Sequence, residues 1–324
     1  MIAYKKHSKQ YDTEGYCLVK KFLENSEIEY LRNALEKEFS IKKYPLSLYI
    51  HEFEDQELVK LLLKAITSSE IKNLIDTFME ENNLVLSILP FFHVQRNYQV
   101  NFDKSLGWHR DCGGELKYNY CNNILNKQSY FFSKIGIYLQ DNNDFGGGVD
   151  LIPGTHTHIK KTNYFYRKLQ GSRLNFVNKI FSIFPKIYKM INENFFMKFL
   201  KAKTMPTLKG DCIFFDSRIV HRGSLIDKKN IKSVNFTDTY HATTPKEKVK
   251  FSFYAHFGSP DAIDSYMYDR LKREGMEQEE LKLWNEQINF IKKYSLDFSK
   301  KMEKIIFPIN EKYKEYLVEH KNLD

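Results

Sequence analysis

Trp108-His109-Arg110-Asp111 places an imidazole and a carboxylate two residues apart. On an extended strand, positions i and i+2 face the same way, so this one segment offers two ligands to one point in space. Two side chains hold a catalytic metal weakly, and a third must come from elsewhere. His221, in Phe214-Phe215-Asp216-Ser217-Arg218-Ile219-Val220-His221-Arg222-Gly223, is the best candidate. Two His and one carboxylate on one face of a metal make a facial triad suited to non-haem Fe(II) and O2, with positions left open for co-substrate. A His-x-Asp pair alone also arises by chance as ordinary surface or core residues, so the elements around it must carry the argument.

Those elements read as strands separated by turns. Residues 84–89 are apolar, and Pro90 is expected to end that strand. Beyond His93, the residues Gln95, Asn97, Gln99 and Asn101 alternate with Arg96, Tyr98, Val100 and Phe102. As a strand, that stretch has one face made of amides, which is either solvent-facing or a polar wall beside the metal. Residues 131–139 form a further strand. Asp141-Asn142-Asn143-Asp144 and Gly146-Gly147-Gly148 signal a turn, and Val149-Asp150-Leu151-Ile152 then runs into Pro153-Gly154-Thr155-His156. His156 and His158 follow that corner and read as loop histidines. Lys209-Gly210-Asp211 is a turn before a buried strand, Cys212-Ile213-Phe214-Phe215, which delivers His221. Val249, Phe251, Phe253, Ala255 and Phe257 share one face of a late strand. Ligands on an early and a late strand describe an all-β barrel with a site in its mouth.

Helical signals flank the strands. Gly15-Tyr16-Cys17-Leu18-Val19 is β-prone. Ser26 with Glu29 predicts a capping box, opening a helix whose Ile28, Leu31, Ala34 and Leu35 form a buried stripe. Helical periodicity recurs over residues 58–78. The chain has 324 residues, 42% of them hydrophobic, and a formal charge of +9. No apolar run is long enough to span a bilayer, and the polar, basic start shows no secretory signal. Cys17, Cys112, Cys121 and Cys212 are scattered, as expected of free thiols in a reducing cytoplasm. Cys112 is not expected to be a ligand.

Four stretches carry a resemblance. They are Gly15-Tyr16 with Val19, Phe22-Leu23, Glu27 and Leu31-Arg32; Trp108-His109-Arg110-Asp111; the glycine-rich turn with Pro153-Gly154-Thr155-His156; and Gly210-Asp211 followed by His221. In this order and spacing they resemble the phytanoyl-CoA dioxygenase family of Fe(II)/2-oxoglutarate-dependent oxygenases, over most of residues 11–258. The resemblance implies a mainly β fold with flanking helices, a double-stranded β-helix (jelly roll, cupin-like) in a single domain over residues 1–324. It implies that His109, Asp111 and His221 hold Fe(II). It also implies that 2-oxoglutarate is consumed to succinate and CO2 as a C–H bond is hydroxylated. Asp111 stands where related halogenating enzymes carry a small residue, so hydroxylation is expected.

One departure concerns the co-substrate. The family usually carries an arginine on the strand after the second histidine, where it clamps the distal carboxylate. No arginine lies between Arg222 and Arg270. Lys232 and Lys250 are the candidates: Lys232 lies at the distance from His221 that the family often uses, but residues 225–244 read as an expanded loop that would push the anchor along the sequence, so Lys250, with Ser252 on its strand face, is preferred. Gln99 of the amide face is the third candidate for holding the co-substrate. Lysine supplies the charge but not the bidentate fork of arginine.

Residues 159–203 form an insertion with eleven Lys or Arg and one acidic residue, Glu193. Aromatic and aliphatic residues are interleaved, so parts of it read as basic amphipathic helix. It is either a solvated helical face or a surface for an anionic partner, meaning a phosphate-, CoA- or carboxylate-bearing substrate or an anionic membrane. No nucleic-acid-binding module is visible. Residues 259–324 read as a charged helical tail, with Leu281, Trp284, Ile288 and Ile291 as its apolar stripe. Two competing readings remain: a non-catalytic metal-binding jelly roll, favoured by the missing arginine, and a cupin-type metalloenzyme that needs no 2-oxoglutarate.

Overall fold

Alternation along three strands sets the layers. In the computed structural model, strand β7 (Cys212–Asp216) sends Cys212 and Phe214 into one cluster and Ile213 and Phe215 into another. The structure describes residues 2–45, 47–66, 68, 71, 73–75, 77, 86–97, 110–111, 132–142, 148–156, 201–223, 250–258, 282–283, 286–287, 289–290 and 305–306. For residues 2–5, 86–92, 95, 97, 305 and 306 it describes the backbone alone. His109, Gln99, Lys232, Cys112, Cys121, His158, most of the 159–203 insertion and most of the tail lie outside these residues.

The described strands form two sheets. The larger runs in the order β1 (Tyr16–Val19), β7, β4 (Phe132–Tyr138), β9 (Lys250–Gly258), β3 (Leu86–Asn97) and β10 (Ile305–Ile306), with β2 (Ser47–Tyr49) also on β3. The smaller joins β6 (Lys203–Thr204), β5 (Val149–Ile152) and β8 (Val220–Gly223). Every pairing is antiparallel except β10 with β3.

One face of the larger sheet takes the helices. Ile135 and Ile137 of β4 and Phe251, Phe253, Ala255 and Phe257 of β9 pack with α2 (Asn25–Ile41) and α3 (Gln56–Ile66). Burying each such phenylalanine contributes roughly 1.5–3 kcal/mol. Arg96 of β3 also faces α2, pairing with Glu36 at 3.3 Å and lying 4.5 Å from the Tyr44 ring centre. The other face meets the smaller sheet through Tyr16, Tyr138, Ile213 and Phe215 against Val149, Leu151 and Met205. Antiparallel strands, mostly from non-consecutive positions in the chain, in two facing sheets with helices on one outer face make the mainly β arrangement expected, consistent with a jelly roll. Among the described residues, no helix is long and apolar enough to cross a membrane.

Three local expectations are corrected. β3 does not end at Pro90: it continues through a register irregularity between Leu89 and His93. A bulge tolerates the N–H that proline lacks, so the two expected strands are one. Helix α2 starts ahead of Ser26: Glu24 caps it, and the Glu24 N–H donates to Glu27 at 3.1 Å. A further helix, α1 (Ile2–Glu14), precedes β1. It is anchored by Tyr11, which is buried in the core, and by backbone groups near its end. The Asp12 carbonyl meets His156 Nε2 at 3.1 Å, and the Glu14 carbonyl accepts from Gly154 N–H at 2.9 Å. His156 is thus a buried structural contact.

The turn before β7 depends on Gly210, at φ +79°. Its carbonyl accepts from Phe22 and Leu23, and its N–H donates to Tyr138. An added Cβ would lie 2.7 Å from the Leu23 oxygen and 2.8 Å from Ile28. Gly210→Ala is expected to destabilise the protein by about 2 kcal/mol or more, from left-handed strain plus the clash. Chemical denaturation checks this; a loss below about 0.5 kcal/mol would contradict the packing described.

Candidate functional site

The inner face of the larger sheet is built by the positions that skip the helical core. On β4 these are Lys134, Gly136 and Tyr138, and on β9 they are Lys250, Ser252, Tyr254 and His256. The register sets Tyr138 opposite Ser252 and Gly136 opposite Tyr254. On β3, the backbone of Gln95 stands opposite Ser252 and that of Asn97 opposite Lys250. The amide-bearing positions of β3 therefore share the face of Lys250, not an outer one. A Cβ on Gly136 would lie 3.2 Å from the Tyr254 ring and 3.3 Å from Ile213, so glycine keeps this floor open.

His221 and Asp111 come together on this floor. His221, on β8, is buried, with Nδ1 3.1 Å from the Ile219 carbonyl. A carbonyl only accepts, so Nδ1 carries the proton and Nε2 is left as the ligating nitrogen. Nε2 lies 3.4 Å from Asp111 Oδ2. Two donors each about 2.1 Å from one divalent ion stand roughly 3 Å apart at a right angle, and slightly farther as the angle opens. The pair therefore fits two neighbouring positions around one metal. The third expected ligand, His109, lies outside the described residues. Among the described residues, no group of three His, Cys, Asp or Glu is gathered that could hold a metal.

Asp111 sits in a loop, not on the extended strand expected of residues 109–111. It is held by the turn between β7 and β8. Its N–H donates to the Ser217 carbonyl at 2.8 Å. Arg110 is buried and donates through Nη1 to the Thr155 carbonyl at 2.6 Å and to the Arg218 carbonyl. The turn is itself fixed: Asp216 accepts from Arg218 N at 2.8 Å, Nε at 2.9 Å and Nη2 at 2.6 Å. The Asp111 carboxylate and His221 thus hang from one four-residue turn.

Two lysines share the floor. Lys134 pairs with Asp111 Oδ2 at 3.1 Å. The sequence reading missed it, although a lysine as the one charge inside Phe132-Ser133-Lys134-Ile135-Gly136-Ile137-Tyr138 was a signal. Lys250 is buried, its Nζ 5.5 Å from the Tyr138 ring centre. No carboxylate pairs with it among the described residues, and burial pushes its pKa down to about 7. Beside it, Ser252 Oγ is fully buried with no hydrogen-bond partner among the described residues. An uncompensated ammonium and an unpartnered hydroxyl on one face suit a carboxylate.

No curated protein matches the chain. Among solved structures, it is similar to the non-heme alpha-ketoglutarate-dependent carbocyclase SnoK from nogalamycin biosynthesis: 14% identity and TM-score 0.47, over 79% of this chain and 84% of that one. EctD from S. alaskensis shows 11% identity and TM-score 0.47, over 79% and 77%. HygX from Streptomyces hygroscopicus, with nickel and 2-oxoglutarate bound, shows 13% identity and TM-score 0.45, over 78% and 86%. The model of the phytanoyl-CoA dioxygenase family matches residues 11–225, from α1 through β8 and His221. The chain belongs to the phytanoyl-CoA dioxygenase family of Fe(II)/2-oxoglutarate-dependent oxygenases.

Proposed function

We propose that this protein hydroxylates a C–H bond of a small molecule, using Fe(II), 2-oxoglutarate and O2, within one domain over residues 1–324. The observation that carries the reading is the approach of His221 Nε2 to Asp111 Oδ2 at 3.4 Å, with Nδ1 already committed to a carbonyl. His109 completes the ligand set. When bound, the metal supplies O2 activation, driven by oxidative decarboxylation of the 2-oxo acid. The chain's own work is to hold three ligands in place, orient the co-substrate and limit water. Lys250 and Ser252 take its distal carboxylate, and Gln99, from the amide-rich stretch of the sequence, is a further candidate to hold it. This assigns the missing arginine's role to a buried lysine and removes the main support for a non-catalytic jelly roll.

The substrate is proposed to be anionic, bearing a phosphate, CoA or carboxylate group. The support is the charge of residues 159–203, which are rooted on the β5–β6 ladder of the smaller sheet. The same charge supports peripheral contact with anionic membranes. The cysteine pattern supports a cytoplasmic setting.

Succinate formation from 2-oxoglutarate, measured with and without candidate substrates, tests the whole reading. Its absence under all conditions, with metal bound, would favour the alternatives, a non-catalytic metal-binding jelly roll or a cupin-type enzyme that needs no 2-oxoglutarate. His109→Ala, Asp111→Ala and His221→Ala are each expected to abolish tight Fe(II) binding, since two ligands remain. Unchanged affinity in all three, by metal titration, would refute the site.

Lys250 gives a sharper pair of outcomes. A buried charge without a protein partner costs stability. Lys250→Met is therefore expected to raise the melting temperature while weakening 2-oxoglutarate binding by roughly 2–5 kcal/mol. Loss of stability would mark Lys250 as structural.

Carboxylate binding needs its protonated form, which the free protein loses as pH rises through about 7. A bound carboxylate raises the lysine's pKa, so binding takes up a proton, and affinity should fall by up to about tenfold per unit above that pH. Calorimetry at pH 6.5 and 8.5 checks this. Lys250→Arg, charged throughout, should flatten the profile.

A further inference from the structure

Burial along the two central strands is interrupted once in each. β4 is buried at every position but Lys134, and β9 at every position but Tyr254. The two meet: Lys134 Nζ lies 5.0 Å from the Tyr254 ring centre and 5.9 Å from that of Phe215. Solvent thus reaches the floor of the barrel where Lys134 pairs with Asp111. The oxygen it pairs with, Oδ2 at 3.1 Å, is the one facing His221 Nε2 at 3.4 Å. An ammonium and a divalent metal would therefore claim the same carboxylate oxygen. Their mutual repulsion is stronger at this partly buried site than it would be in bulk water.

We propose that Lys134 is an exchangeable cation. It neutralises Asp111 in the metal-free protein. Once a metal takes that oxygen, its ammonium turns to a carboxylate bound beside the metal. The four-carbon stem allows the movement, and the Tyr254 and Phe215 rings offer π faces to the charge along the way. The carboxylate is either the 2-oxo acid head of the co-substrate or a carboxylate of the substrate itself. The inference rests on the metal reading above and adds a coupling to it: metal loading frees a cation for the anion, and the anion in turn favours the loaded state.

Charge and positioning are separated by two variants. Lys134→Met removes both the charge and the hydrogen bond to Asp111. Lys134→Gln, the milder change, keeps an N–H for Asp111 and removes only the charge. Co(II) is the metal probe, read by its visible absorption. Pyruvate is the anion probe, because it has the 2-oxo acid head but no distal carboxylate for Lys250. With no carboxylate present, both variants are expected to bind Co(II) about tenfold more tightly than the unaltered protein. Loaded with Co(II), both are expected to bind pyruvate about tenfold more weakly.

Weaker Co(II) binding in Lys134→Met with ordinary binding in Lys134→Gln would overturn the proposal, since Lys134 would then only position Asp111. Unchanged pyruvate affinity would overturn it as well. Acetate is run in parallel. An equal loss for acetate assigns the ammonium to a plain carboxylate, as on a substrate, and a loss for pyruvate alone assigns it to the 2-oxo acid head. If the unaltered protein fails to bind Co(II), the metal reading itself falls and this proposal with it. Tight Co(II) binding with no difference among the three proteins refutes only the exchange.

Discussion

The turn at residues 216–219 is the constraint on which the site depends. Gly15 accepts from the Asp216 N–H, Phe132 accepts from Ser217 N–H, and Asp111 donates to the Ser217 carbonyl, each at 2.8 Å. Asp216 and Arg218 lock the turn internally through a buried, doubly hydrogen-bonded pair. Such charge-assisted, bidentate contacts fix orientation as well as distance. Three chain segments far apart in sequence therefore meet on four residues, and His221 leaves that turn directly into β8. A ligand set drawn from distant segments needs this kind of common mount, because a metal tolerates little error in donor position.

The inner and outer faces of the larger sheet divide the labour. Outward, phenylalanine and isoleucine make a dense apolar layer under α2 and α3. Inward, the same strands carry lysine, tyrosine, serine and histidine. The outer layer stabilises the fold by an amount that lets the inner layer keep groups a stable core would not choose, such as the buried ammonium of Lys250. Natural sites commonly hold such locally unfavourable groups in a frame that can bear them.

Much of this was legible in the sequence. Alternation gave β9 and its two faces, including the placement of Lys250 with Ser252, and the Gly210 turn announced β7. Asp111 and His221 were legible as a pair that would meet, because their residue types limit the chemistry, and the structure brings them within 3.4 Å. What was not legible has a common cause. Lys134 reaches Asp111 across 23 residues, and nothing local marks the pairing. Arg110 was masked by its two ligand-type neighbours, and its bonds go to carbonyls, which any residue could supply. Helix α1 is held by one core residue, Tyr11, and by contacts at its end, so it shows no apolar period. Pro90 misled because a bulge suspends the rule that proline ends a strand, and the bulge is set by pairing with β9.

The clamp at the ends of the insertion has a consequence for how such a protein can change. Leu151 pairs with Lys203 and Asp150 with Thr204, while Glu14 holds both Gly154 through its carbonyl and Lys203 through its carboxylate. The chain therefore leaves the smaller sheet and returns to it at nearly one point, sealed by a ladder and a helix end. The entropy of closing such an excursion grows only with the logarithm of its length, about 0.6 kcal/mol for each doubling. Descendants of this gene can lengthen, shorten or exchange the excursion almost without thermodynamic penalty, leaving the catalytic frame intact. A lineage can therefore rewrite residues 159–200 freely while the ladder and turns that hold Asp111 and His221 stay as they are.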